Sequence, residues 1–368
     1  MSGWAELALD PPRAHGAPVG TAAIRVSPED FQVDEQLGFT PSGSGEHLLL
    51  RVRKRGQNTA WVAREIARLA DVRQHDVGYA GLKDRNAVTT QWFSLPARRR
   101  TAAEFVGAGG EGFEVLEAHA HRRKLPRGAL TGNDFRIVLR GFEGDPAALE
   151  ARLSQLRERG VPNYFGPQRF GRDLSNLAVL RGAPAPAPRD GRGFALSAAR
   201  SLVFNAVLAE RVSSRTWDRL LAGDRANLEG RNSNFLVETP DITLESRLAA
   251  LDVHPTGPMW GEGDAGVRGA VAELETAVAG RYPALLELLG AERMEPARRP
   301  LRAVVRGLAH AWLPQGEASG SPATDSPSND CPSRDCELRF SLRAGSFATV
   351  VLRELVTLAG DATEDEHA

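Results

Sequence analysis

The sequence predicts a mixed α and β protein of two domains, on three observations. Its 368 residues, 42% hydrophobic and 25% charged, are more than one core comfortably accommodates. In the first half, runs of apolar period two alternate with runs of helical period, with turn residues between them and no repeat at a fixed spacing. Near Arg159 the composition shifts: Gly160, Pro162, Asn163, Gly166, Pro167 and Gly171 cluster ahead of an Ala, Pro and Gly stretch from Gly182 to Gly193, which marks a domain boundary.

Each element follows from its local pattern. Pro41, Gly43 and Gly45 break the chain before the strand-like run His47 to Val52. Asn58 or Thr59 caps a helix in which Val62, Ile66 and Leu69, with Ala63, Ala67 and Ala70, form the buried stripe, while Arg64 and Arg68 lie off it. Phe135, Ile137 and Leu139 alternate with Arg136, Val138 and Arg140, as in a strand with one face buried and the other partly basic. Ser197 caps a helix running to Val212, and Pro300 to Ala311 is a shorter helix-compatible segment carrying Arg302 and Arg306. Ser319 to Asp335, rich in Ser, Pro, Asp and Gly, is a solvated loop insertion, and Glu337 to Leu342 alternates as a strand after it. Gly345-Ser346 opens a last helix from Phe347 to Ala359 with Gly360 as its stop, followed by an acidic tail from Asp361 to Glu366. That helix is apolar around most of its circumference, so Arg353 inside it needs an anionic partner or a polar cleft for its head.

Charge and cysteine content exclude several classes. The whole chain is nearly balanced, but between Arg51 and Arg140 stand 18 Lys or Arg against 9 Asp or Glu, so one block is distinctly basic. Arg51-Val52-Arg53-Lys54-Arg55, Arg98-Arg99-Arg100 and Arg122-Arg123-Lys124 each read as a solvated face alone, and together as a phosphate-binding surface. Cys331 and Cys336 provide neither a disulfide framework nor a zinc set, which points to a reducing compartment. No secretory start is visible in Met1 to Pro12, and no run approaches the roughly 20 apolar residues of a membrane span, so the expectation is a cytoplasmic protein with no membrane partner.

The stretch with the densest chemistry is Tyr79-Ala80-Gly81-Leu82-Lys83-Asp84-Arg85-Asn86-Ala87-Val88-Thr89-Thr90-Gln91-Trp92-Phe93. A glycine turn leads into Asp84 between two cations, and Lys83 and Arg85 would favour its ionised form, making it a usable nucleophile or base. The competing reading is a surface ion-pair turn. No other catalytic set is present: H-E-x-x-H, G-x-S-x-G, P-loop and dinucleotide glycine patterns are missing, and His119 and His121, two apart, are not a metal face of a helix.

Seven ordered blocks carry a resemblance over nearly the whole chain. They are Pro28-Glu29-Asp30-Phe31-Gln32-Val33-Asp34-Glu35; Gly45-Glu46-His47 with Lys54-Arg55-Gly56-Gln57-Asn58-Thr59; Gly81-Leu82-Lys83-Asp84-Arg85 through Gln91; Gly128-Ala129-Leu130-Thr131-Gly132-Asn133-Asp134-Phe135; Val161-Pro162-Asn163-Tyr164-Phe165-Gly166-Pro167-Gln168-Arg169-Phe170-Gly171; Leu196-Ser197-Ala198-Ala199-Arg200-Ser201; and Gly345-Ser346-Phe347-Ala348-Thr349 before Leu352-Arg353-Glu354-Leu355. In these the chain resembles the TruD family of tRNA pseudouridine synthases. Its departure, the Ser319 to Asp335 insertion, falls between motifs.

The resemblance implies an α+β pseudouridine-synthase catalytic domain with a mainly antiparallel mixed sheet, formed by residues 1–158 and 305–368; the polar composition near 316–336 adds a disordered loop to its last part. An inserted α/β TRUD domain would occupy 159–304. It implies isomerisation of uridine 13 of tRNA to pseudouridine with Asp84 as nucleophile, no cofactor and no metal, and tRNA as the partner of a monomer with no protein partner. The family's substrate-contacting positions fall on Phe31, Asn133 and Phe347. The uridine must leave its stack to be reached, and Phe135 is the candidate for stacking on it, against the alternative that it is a core side chain. Arg353 is expected to pair with Asp84 as its orienting cation.

Two other functions compete. A non-catalytic RNA-binding protein or RNA chaperone on the same fold would need a degraded nucleophile, whereas Asp84 stands in an intact motif. An Asp-dependent phosphotransferase would need a D-x-D pair after the Asp84 strand, which is missing.

Overall fold

The computed structural model describes residues 3–98, 100–126, 128–186, 191–314 and 334–359. The chain divides into two units: Val19–Leu149 with Arg306–Gly345 and Val356–Ala368, and Glu150–Val305 with Met1–Pro18 and Ser346–Leu355. The second unit thus takes in more than the 159–304 segment. Polar contacts give the reason: the Glu354 carboxylate accepts from the backbone of Ala14 (3.3 Å) and His15 (3.1 Å), while Arg152 donates to Glu354 O (2.6 Å).

The first unit is built on an 11-stranded sheet. Its main strands are β1 (Phe31–Leu37), β2 (His47–Arg55), β3 (Val88–Pro96), β4 (Phe113–His121), β5 (Leu130–Gly144), β6 (Arg306–Trp312) and β7 (Arg334–Arg343), in the spatial order β6-β7-β5-β1-β3-β2-β4. Among these only β1 and β3 run parallel, so the sheet is the expected mainly antiparallel, mixed one. Gly20–Ala23 adds antiparallel to β5 and carries Thr357–Leu358 parallel beside it.

Helix α1 (Thr59–Ala70) covers one face of this sheet, burying Val62, Ala63, Ile66, Ala67 and Ala70 against Leu48, Leu50, Val52, Phe93 and Val115. Complete burial of each large apolar side chain contributes roughly 1.5–3 kcal/mol, so this layer fixes the register of β2 and β3. Leu69, expected in the stripe, is exposed: it lies about a quarter turn from the centre of the buried arc. Asn58 occupies the cap position without a capping side-chain bond, and Asp71 ends the helix in the left-handed region at φ 52°.

Three other expectations change. The segment Pro300 to Ala311 forms strands: Arg302–Ala303 pairs with Val161–Pro162, and β6 pairs with β7. A register shift between Arg306 and Ala309 breaks the alternation there, which hides the strand in the sequence. The helix expected to begin at Ser197 is α2 (Arg192–Ser213), starting at Gly191 with φ 84°, and the backbone carbonyl of Ser197 accepts from Ser201 Oγ. The last helix, α3 (Ala348–Leu355), stops before the β-branched Val356 and Thr357, where the chain turns into the strand beside Gly20–Ala23. Of the expected Ser319 to Asp335 insertion, residues 319–333, Cys331 among them, lie outside the described residues, as do Gly360 and the acidic tail, whereas Arg334 and Asp335 already belong to β7, on which Cys336 is buried.

In the second unit α2 is buried nearly all round. A four-stranded antiparallel sheet, ordered Asn234–Leu236, Arg225–Leu228, Val253–Met259 and Ala297–Pro300, accompanies it. The Arg211–Asp224 pair, fully buried at 3.0 Å, ties the end of α2 to the turn before Arg225.

Candidate active site

Asp84 sits in the loop between the two-residue strand Gly78–Tyr79 and β3. The loop is tied down at several points. Thr59 Oγ1, at the start of α1, donates to Gln91 Oε1 (2.9 Å) and accepts from the backbone N–H of Lys83 (3.0 Å). The Lys54 ammonium, on a residue only 1% exposed, donates to the Asp84 carbonyl at 2.6 Å. The side chain of Lys83 turns inward to pair with Glu35, whose other oxygen accepts from Trp92 N at 2.8 Å. Burial pushes the Glu35 carboxyl above its usual range, and the Lys83 charge opposes that push.

With Lys83 engaged in this way and Arg85 Nε donating to Gly56 O, the cation on Asp84 is neither of its sequence neighbours. It is Arg25, whose Nη2 meets Asp84 Oδ2 at 2.6 Å, with the Asp84 side chain 41% exposed. The Arg25 guanidinium lies 4.3 Å from the centroid of the Phe31 ring, and its backbone is left-handed at φ 57°. The expected pairing of Arg353 with Asp84 is therefore replaced. Arg353 donates to Asp10 Oδ1 (2.6 Å) and to the Pro11 carbonyl, because the N-terminal segment of its own unit supplies the anion that its apolar helix lacks.

Antiparallel register places Phe31 opposite Ile137, Val33 opposite Phe135 and Glu35 opposite Asn133, so these side chains share one face of the sheet. The Oδ1 of Asn133 is buried with no hydrogen-bond partner, an acceptor left open for a ligand donor. Phe31 and Phe135 pack edge to face at 6.4 Å, and Phe135, 8% exposed, stacks on Phe340 at 5.2 Å. Asp84, Phe31, Asn133 and Phe135 all belong to the first unit; Phe347, tilted against Phe165 at 6.4 Å, and Arg353 belong to the second. Among the described residues no three His, Cys, Asp or Glu side chains converge as metal ligands, and no helix is long and apolar enough to cross a membrane.

A family model described as tRNA pseudouridine synthase D (TruD) matches residues 15–182 and 174–355. The chain belongs to the TruD family. It is 46% identical over 351 residues to a tRNA pseudouridine synthase D of Methylococcus capsulatus, covering 94% of each chain. It is 44% identical over 362 residues to the one of Pseudomonas aeruginosa, covering 97% of each. In fold it matches the solved structure of a TruD protein of Methanosarcina mazei, with a TM-score of 0.71 at 21% identity over 96% of this chain and 97% of that one.

In this TruD chain Arg25 carries no signal in the sequence, and the role of Lys54 is masked by its basic neighbours. Arg25 lies outside any helix or strand, three residues ahead of the Pro28 motif, so no periodicity marks it. Lys54 stands in a basic run whose other members face outward onto acids: Arg51 bonds Asp34 and Glu117, Arg53 bonds Glu114 and Arg55 bonds Glu29. The odd-even alternation of β2 was the available signal, since it turns Lys54 to the face opposite these arginines.

Proposed function

We propose that this chain is a tRNA pseudouridine synthase that isomerises uridine 13, with Asp84 as its nucleophile. The observation that carries this reading is the Asp84 carboxylate, partly open to solvent, gripped by Arg25 and set on a loop fixed from both sides. Isomerisation moves the glycosidic bond from N1 to C5 of the same uracil: the C1′–N1 bond breaks, C1′–C5 forms, C5 gives up its proton and N1 takes one. No atom is gained or lost, so the reaction needs a nucleophile to hold the open state and a pocket to keep the freed base in place. Asp84 is the one and the aromatic face of the sheet the other. Phe31 and Phe135 form an apolar wall for the extruded base, and the open acceptor of Asn133 suits the uracil N3–H. Arg25 orients the carboxylate through its ion pair and is itself held on Phe31. The reaction requires no cofactor, and the protein works as a cytoplasmic monomer with tRNA as its partner.

The test is pseudouridine mapping by chemical adduct formation and primer extension on unmodified tRNA transcripts. Wild type is expected to give a stop at uridine 13 and Asp84→Ala none, with tRNA binding retained. A stop at another position would remove the assignment of uridine 13, and equal stops with both proteins would remove Asp84 as nucleophile. Binding by both proteins with no stop from either would favour the non-catalytic RNA-binding alternative.

A further inference from the structure

In the unit containing Glu150–Val305, an open cleft of about 460 Å3 is lined by Arg169, Gly191, Arg192, Gly193, Phe194 and Ser197. None of these residues has a part in the uridine pocket. The volume lies within the roughly 300–1,000 Å3 of small-ligand clefts.

Arg169 supplies its charge. Its Nη1 donates to Ser197 Oγ at 3.1 Å, and among the described residues no carboxylate pairs with it. Arg169 and Arg299 both lie over the Phe165 ring, at 5.1 and 4.1 Å from its centroid. Burial depresses the pKa of both guanidiniums, and the Arg169 charge lowers that of Arg299 further. An anion arriving at Arg169 meets a guanidinium that no carboxylate pairs with among the described residues. Arg192 is fixed beside it by a 2.6 Å ion pair with Glu292.

Phe194 supplies an aromatic surface. It is 70% exposed, while Gly191 and Gly193 leave open space where a side chain would begin, so a flat group can approach the ring and the adjacent backbone. A cation beside an exposed aromatic matches the two chemically different parts of a nucleotide, its phosphate and its base.

We propose that this cleft is an RNA subsite that takes one unstacked nucleotide, its phosphate on Arg169 and its base on the Phe194 ring. The inference rests on RNA being the substrate, and it adds a contact apart from the target uridine. Stacking on one aromatic tolerates any base, so the subsite grips the RNA without reading its sequence.

Full-length protein carrying Phe194→Ala or Arg169→Gln would be titrated with an unmodified tRNA transcript across a salt series, with affinity read by fluorescence anisotropy and folding by thermal melts. Phe194→Ala is expected to weaken binding at least about fivefold at every salt concentration, leaving the salt slope unchanged. Arg169→Gln is expected to weaken binding and to flatten the slope of log K against log salt by roughly 0.7–0.9, one phosphate contact. Wild-type affinity for Phe194→Ala overturns the subsite. Should Arg169→Gln fail to fold, Phe194→Ala decides alone, because so exposed a ring is not needed for stability. Binding is read without turnover: a protein that makes no pseudouridine yet loses tRNA affinity on Phe194→Ala would keep the subsite and lose the isomerase.

Discussion

Arg25 and Asp84, 59 residues apart in the chain, meet at 2.6 Å through an arginine whose backbone is left-handed at φ 57°. That conformation costs an L-residue roughly 1–2 kcal/mol. Here it delivers the guanidinium to two partners at once, the Phe31 ring on one side and the Asp84 carboxylate on the other. The Nε of Arg25 is buried without an acceptor, so the side chain is held by its head and by packing alone.

Removing that head should therefore cost rate more than binding. Arg25→Ala is expected to lower kcat about a hundredfold with KM changed by less than about fivefold, since misplacing a reacting group by an ångström costs on this order. Arg25→Lys keeps the charge but not the planar fork or its stack on Phe31, and should recover only part of the loss. Tritium release from 5-tritiated uridine in tRNA measures both constants. A fivefold larger effect on KM than on kcat would make Arg25 an RNA-binding residue instead of a positioning one.

Glu35 and Lys83 form a nearly solvent-free ion pair under the same loop, with side-chain exposures of 0% and 12%. Lys83→Met leaves the Glu35 charge buried and unpaired, which should cost about 3–5 kcal/mol at neutral pH. Burial already holds the Glu35 pKa above its ordinary value, and loss of the Lys83 charge raises it further. A carboxyl raised in the folded state is most favourable while protonated, so the penalty is smallest at acid pH and grows as pH rises through the folded pKa. Urea unfolding of wild type and Lys83→Met at several pH values measures it, and Glu35→Gln/Lys83→Met should recover most of the loss at neutral pH. A pH-independent penalty would mean that the lysine acts by packing and not by charge.

How much of this site could be read in the sequence depended on whether a residue's role was local. Asp84 stands in a glycine turn between a short strand and β3, and Phe135 alternates on β5, so turn chemistry and period two mark them, whereas Asn133 stands out only through the family resemblance. The pairing of Arg353 was argued from a local need, an anion for a lone cation in an apolar helix. The need was real, but Asp10, more than 340 residues earlier, meets it. Arg25 answers to a tertiary contact only: a single basic residue outside regular structure resembles any other until its partner is known. The strands of Pro300 to Ala311 were hidden for a related reason, because the bulge between Arg306 and Ala309 is recognisable only against β7.

His15 gives the second unit an acid-sensitive point. Its Nε2 must carry the proton donated to the Gly160 carbonyl at 2.9 Å, and Nδ1 is buried with no partner, so a second proton has no acceptor. Burial first, then Arg159 and Arg152, push its pKa down to about 4, against the opposing pull of the Gly160 carbonyl and Asp218. An unfolded chain takes up this proton near pH 6.5 while the folded one resists until about pH 4. Stability is thus fully present above pH 6.5 and falls as pH drops through that window, by about 3 kcal/mol at most. His15→Gln keeps a donor for Gly160 and removes the titration, so its melting temperature should fall less than that of wild type between pH 7 and pH 4.5. If the two proteins lose stability in parallel over that range, another group sets the acid limit.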